Sequence, residues 1–454
     1  MIGVGADRET QAAPFARLQK ETAAGAPTWL DPIRSQALDT FAGMGFPTTG
    51  DEEWRRTSVA ALAGSTWGLG TASAPARADG ETLRRLAFTP ASGPLLAFIN
   101  GRFAAGLSRV ASLPRGVTLR CLPDAIASSR GMVEPHLSRH AAWQQHPFIA
   151  LNTALIQDGV FLHVAEGCEF NDPIHLVFLA EEHGGAGQNQ TLLVSPRILV
   201  VAEKDSRISL VETYAGEGEH RYLTNTVTEF VLAENASIEH CKLVREADDS
   251  FHVATQQALL AKNARLTSHS ISLGGSLIRN ESNVILGAEG AECTLNGLYM
   301  ASGRQLIDNH TVIDHARPRC ASRELYKGVL DGQSRGVFNG KVIVRPHASK
   351  TDSRQTNRNL LLSDSALVDT KPELQILNND VKCSHAATIG QLDETAIFYL
   401  RSRGLGQEAA RSLLIHAFMS DIIGRVQAPS VREGLEGLML SRLPGYQSVR
   451  EAAL

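Results

Sequence analysis

Two residues of the 454-residue chain stand out by type and spacing: Cys383 and His385, separated by one serine. Side chains at i and i+2 of an extended strand share a face. A strand here therefore sets a thiol beside an imidazole, about 7 Å apart along the backbone. Thiolate is a soft ligand suited to iron–sulfur chemistry, and imidazole is a common iron ligand. Two ligands cannot hold a cluster, so a second chain would have to supply the rest. The plainer reading makes Cys383 a small buried apolar residue and His385 a hydrogen-bonded strand residue. Spacing alone leaves both readings open.

Other reactive side chains carry weaker patterns. His136 and His140 are at i, i+4 on an expected helix over Pro135–Trp143, a metal-like spacing, but no thiol lies near in sequence and they read as surface residues. Cys168, Cys241, Cys293 and Cys320 fall in strand-like runs and read as core fillers. Asp308, Asp314 and Asp331 are the carboxylates that a β-helical carbohydrate-active enzyme would need to gather on one face, and their spacing does not bring them together. A GxxxxGK[ST] phosphate loop is absent, so the chain is not expected to hydrolyse ATP by itself. Gly3-Val4-Gly5 has two glycines of a dinucleotide fingerprint, without a preceding strand or the third glycine.

Bulk properties narrow the class. Hydrophobic residues make up 43% and charged residues 20%, ordinary for a globular protein. A net charge of −4 gives no generic nucleic-acid or membrane surface. No run approaches the roughly 18 apolar residues of a membrane span, and the first residues lack the basic start and apolar core of a signal peptide. Six cysteines without a CxxC pair suit reduced thiols, so the expected compartment is cytoplasmic.

The elements that must position Cys383 and His385 fall into three regions. Residues 1–150 read as a helical domain with a small hairpin. Asp31-Pro32 looks like an N-cap with proline at the first helical position, followed by Ile33, Ala37 and Phe41 on one face. Asn100-Gly101 between apolar runs signals a two-residue hairpin turn. The stretch Gly70–Ala78 reads as a loop. Residues 151–400 carry short β-branched runs such as Ile198–Val201 and Asn225–Leu232. A turn-like element recurs around Asp205, Asn235, Asn263 and Gly290, at intervals of 30, 28 and 27 residues. Stacked β-rungs produce such a period, whereas a β-sandwich would show turns every 8–12 residues. The expected fold is mainly β, a parallel β-helix flanked by helices. Residues 401–454 return to helix: Gln407–Val426 sets Leu414, Phe418 and Ile422 on one stripe, and a second helix starts at Ser430 with Glu433 in capping-box position. These helices could shield the open end of the solenoid or dock a partner, and the pattern does not choose.

The segment Leu377–Gly390 (LNNDVKCSHAATIG), followed by Phe398–Gly404, resembles the C-terminal signature of the SufD family of iron–sulfur cluster assembly proteins. Gly45–Thr48 and Asp51–Thr57 are similar to that family's N-terminal pattern. The resemblance covers nearly the whole chain. It implies a non-enzymatic scaffold with a right-handed parallel β-helix, paired through that helix with the paralogue SufB, or with its own copy when isolated. It also implies that the C-terminal helices dock the ATPase SufC. SufB-like chains carry Glu-His-Glu-Ala-Thr where this chain has Ser384–Thr388, and a cysteine where Thr356–Asn359 has none. The chain therefore looks like the SufD branch. On this resemblance His385, and less strongly Cys383, help to build a transient cluster shared with SufB. Pro372 matches a recurrent family position and would fix an extended segment. No flavin is assigned.

Overall fold

The structure, a computed structural model, describes residues 3–23, 27–70, 77–110, 113–181, 190–218 and 220–443. From Arg197 onward the chain alternates strand by strand between two sheets, and the turns explain why. Asp205, Asn235, Asn263 and Gly290 all have positive φ, between 55° and 74°, a region that Asn, Asp and Gly enter most easily. The same corner recurs at Arg319 and Lys350, with φ of 58° and 61°. Each corner turns the chain from one sheet to the other. Corners also stack: Asn235 donates to Asp205 at 2.7 Å and Asn263 donates to Asn235 at 3.2 Å.

The front sheet contains Tyr222–Leu232, Phe251–Leu260, Leu277–Leu286, Leu306–His315, Arg335–Val344 and Leu367–Ile376. The back sheet contains Arg207–Gly216, Ser237–Arg245, Arg265–Ser272, Glu292–Ala301, Ala321–Leu330, Asp352–Leu361 and Lys382–Gly390. Each pairs in parallel with the strand two along in sequence, as Gln355 opposite His385 illustrates. The result is a parallel β-solenoid of about seven turns. Two face-packed sheets are present, as in a sandwich, but their ladders are parallel. Inward residues such as Leu210, Ile238, Leu266, Leu295 and Ile307 form one continuous core.

Both lateral faces are covered. Phe15, Phe41, Phe46, Trp54 and Phe148 of the N-terminal region pack on the outward Leu223, Val227, Val253 and Leu277 of the front sheet. Buried Arg197 and Glu229 pair at 2.6 Å, and Glu229 also accepts the backbone N–H groups of Ser138, His140 and Ala141. The C-terminal helices Gln407–Ile423 and Pro429–Ser441 lie on the back sheet, where Ile415, Met419, Ile422, Val431 and Leu435 meet Leu243, Ile271, Leu298 and Val329. They do not shield the open end.

Several local expectations shift. The helix Asp31–Met44 takes Leu30 as its cap, so Asp31 is already inside it. Pro135–Trp143 is a run of turns because its backbone is held by Glu229, and His136 and His140 are half-buried and stacked at 5.6 Å rather than exposed. Ser430 lies within its helix, whose cap is Ala428, so no capping box forms. Gly3 to Gly5 are helical, which removes the strand–turn–helix geometry of a dinucleotide site. The Asn100-Gly101 turn forms as expected, but its first strand, Leu95–Ile99, joins the back sheet. Residues 71–76 of the Gly70–Ala78 loop lie outside the described residues.

Candidate functional site

The solenoid's C-terminal end is built from Leu367–Ile376 and Lys382–Gly390, the last strand of each sheet. Register decides which side chains face inward. On the preceding strand of the back sheet Ser353, Gln355, Asn357 and Asn359 are buried, and they pair with Cys383, His385, Ala387 and Ile389. Cys383 and His385 therefore continue the interior rows, and they do stand on one face. With no further rung above them, His385 is exposed and Cys383 half-buried. On the front sheet Pro372 pairs with Gly340, also in an inward row. Its missing N–H costs little on the last strand of a sheet.

Cys383 packs against Val342, Val344 and Ala348. Burial pushes its thiol up, and the Asp352 charge adds to that. A cation would have to offset this to recruit the thiolate. Among the described residues no group of three His, Cys, Asp or Glu side chains converges to hold a metal. Apolar side chains surround Cys383 and His385: Leu367, Ile376, Leu377 and Ile389 are 41–59% exposed.

The remaining candidates scatter. Ile422 is fully buried against the solenoid, so it fastens the helix and is not open to a partner; Leu414 and Phe418 are half-exposed. The aromatic side chains left bare in this region are instead Phe398 and Tyr399, 72% and 56% exposed, on the helix Glu394–Ser402 that follows the last strand. In the sequence these two residues stand only within the Phe398–Gly404 motif, and no periodicity marks them as exposed. Cys293 and Cys320 fill the interior, Cys241 lies under the C-terminal helices, and Cys168 is half-buried. Asp314 pairs with Arg345 and Asp308 with Arg279, so no catalytic carboxylate pair forms with Asp331.

The Asp51–Thr57 segment has a structural role. Arg279, 3.8 Å from the centre of the Trp54 ring, also bonds Asp308 at 2.6 Å and Glu281 at 2.7 Å. Thr57 donates to Asp308 at 2.5 Å. His310 lies between Asp308, at 3.0 Å, and Glu53, at 3.3 Å. Burial opposes charge on this imidazole, but Asp308 and Glu53 outweigh it and hold His310 up at about 9.

The chain is thus a parallel β-solenoid whose last rung leaves Cys383 and His385 at an uncovered end. The SufBD core-domain model of the SUF iron–sulfur cluster assembly system matches residues 185–418, and the SufBD N-terminal-region model matches residues 9–176. The iron–sulfur cluster assembly protein SufD of Escherichia coli is 32% identical over 91% of this chain and 93% of its own length. A SufBD-family protein of Synechocystis is 33% identical over 88% of each chain, and SufD of Bacillus subtilis is 25% identical over 71% and 72%. The chain belongs to the SufBD family of iron–sulfur cluster assembly proteins and is SufD-like within it. No described helix is long and apolar enough to cross a membrane.

Proposed function

We propose that this chain is a non-enzymatic scaffold subunit that pairs end to end with a like-folded SufB paralogue and contributes His385 to the nascent cluster at their seam. The observation that carries this is the uncapped last rung. Two long edge strands, an apolar rim and an exposed imidazole in an interior row meet at one end. Exposed strand edges invite pairing with another chain, and a partner with the same rung spacing can extend both sheets. The cluster is the cargo, and the partner supplies the thiolates missing here. Cys383 is the secondary donor, since its packing already occupies the side chain. His385→Ala should still assemble with SufB and SufC, while iron and sulfide in the purified complex fall severalfold; Cys383→Ala should lose less. Normal iron and sulfide with His385→Ala would leave the chain as a structural partner only.

SufC docking fits the C-terminal helical region best at Phe398 and Tyr399, because the stripe through Ile422 is taken up by the back sheet. Phe398→Ser with Tyr399→Ser should release SufC from the purified complex and leave the fold unchanged by circular dichroism. Retention of SufC at wild-type affinity would move its site elsewhere.

A further inference from the structure

Beneath His385 the interior row is polar for two rungs and then stops. Gln355 is the register partner of His385, and Glu324 is the register partner of Gln355. Leu295, one rung further in, closes the row. Gln355 and Glu324 are 1% and 3% exposed, and Gln355 Nε2 donates to Glu324 Oε2 at 2.7 Å. Rungs lie about 4.8 Å apart, so Glu324 sits roughly 10 Å below the open end along the backbone. Across the lumen Gly340 leaves the room Gln355 needs, since a Cβ there would lie 2.4 Å from Gln355 Nε2.

Buried polar atoms cluster around this well without a partner among the protein's own groups. Glu324 Oε1 and Gln355 Oε1 accept nothing of good geometry, and the hydroxyl of Thr311, which faces Glu324, has no well-formed bond either. A buried polar atom left without a partner is costly, so these atoms beside one another in the lumen point to ordered water bridging them. The neighbouring row has the same character: Cys383 stands over Ser353, which accepts from Ser322 at 2.8 Å, and Ser322 meets buried His315 at 2.9 Å.

We propose that Glu324 is an internal proton donor and acceptor for the open end, connected to His385 by water held against Gln355. One proton leaves the Glu324 carboxyl to this water as another is delivered at the mouth, so the net event is transfer of one proton between interior and surface. The surroundings of Glu324 suit the task. No cation faces it among the described residues; the titratable groups that feel its charge are Cys293 and Tyr326, both kept neutral by burial. Burial lifts the Glu324 carboxyl to about 7, against the pull of Thr311 and Gln355. Donor chemistry at neutral pH favours such a value. The proposal rests on the interior of this chain alone and holds whether or not His385 binds a cluster.

Infrared spectroscopy of the full chain, free of metal and partner, tests it. The wild type should show a protonated-carboxyl stretch that titrates near neutral pH and is lost in Glu324→Gln. In Gln355→Leu the band should persist, but its shift on transfer to heavy water should slow severalfold. A wild-type spectrum with no titrating carboxyl band lost on Glu324→Gln would overturn the proposal. So would unchanged heavy-water exchange in a folded Gln355→Leu protein. Because neither readout involves iron or SufB, failure here is separable from failure of the scaffold reading.

Discussion

The two ends of the solenoid are built on opposite plans. At the N-terminal end the outermost strands are short: Val117–Cys121 has five residues and Arg102–Phe103 has two. Both pair antiparallel to their neighbours, unlike the ladders between them. Short, reversed edges end a sheet and discourage further pairing. Behind them Phe178 is 3% exposed and stacked between Phe98 and Tyr214, with centroids 4.8 and 5.0 Å away. At the C-terminal end the outermost strands have ten and nine residues, run parallel with the rest, and expose Ile376 and Ile389. The first end is finished within the chain. The second leaves two long parallel edge strands uncovered, and the helices Gln407–Ile423 and Pro429–Ser441 lie on the back sheet instead.

The contrast can be broken by substitution. Phe178→Ala should cost about 3–5 kcal/mol, the range for a truncated buried aromatic. Ile389→Ala at the other end should cost less than about 0.5 kcal/mol, as a change to an exposed side chain does. Urea unfolding of the isolated chain measures both, and similar losses would mean that the open end is packed after all.

A smaller effect sharpens the comparison on the lateral face. His310 is held up at about 9, above its unfolded value of about 6.5. A raised value means that the stabilisation is fully present below about pH 6.5 and is lost as pH rises through about 9. The loss is on the order of 3 kcal/mol. Stability should therefore fall between pH 7 and 10, and His310→Gln should remove most of that slope. A flat wild-type profile in this range would mean that His310 does not pair with Asp308 and Glu53 in solution.

Much of the solenoid was legible because its corners need particular residues. Asp205, Asn235, Asn263 and Gly290 mark the period, and each has the positive φ that favours its type. The corners at Arg319 and Lys350 went unread, since neither residue type announces that conformation. Cys383 and His385 could be placed on one face from their spacing, but not at an open end. That depends on where the chain stops adding rungs and where its helices go. An apolar stripe such as Leu414, Phe418 and Ile422 says that something covers it, without saying whether the cover is the same chain. Glu324 carried no sequence signal at all, because its environment comes from register with Gln355 and His385 across 61 residues of chain.

Amide hydrogen exchange across the last rung tests the central claim most directly. The isolated chain should exchange the amides on the free edge of Lys382–Gly390 quickly, while the buried ladder at Arg265–Ser272 stays protected. Adding the SufB paralogue should protect 367–376 and 382–390 and leave the N-terminal edge at 117–121 unchanged. Protection confined to the lateral faces or to the N-terminal end, with the last rung still exchanging freely, would contradict the account.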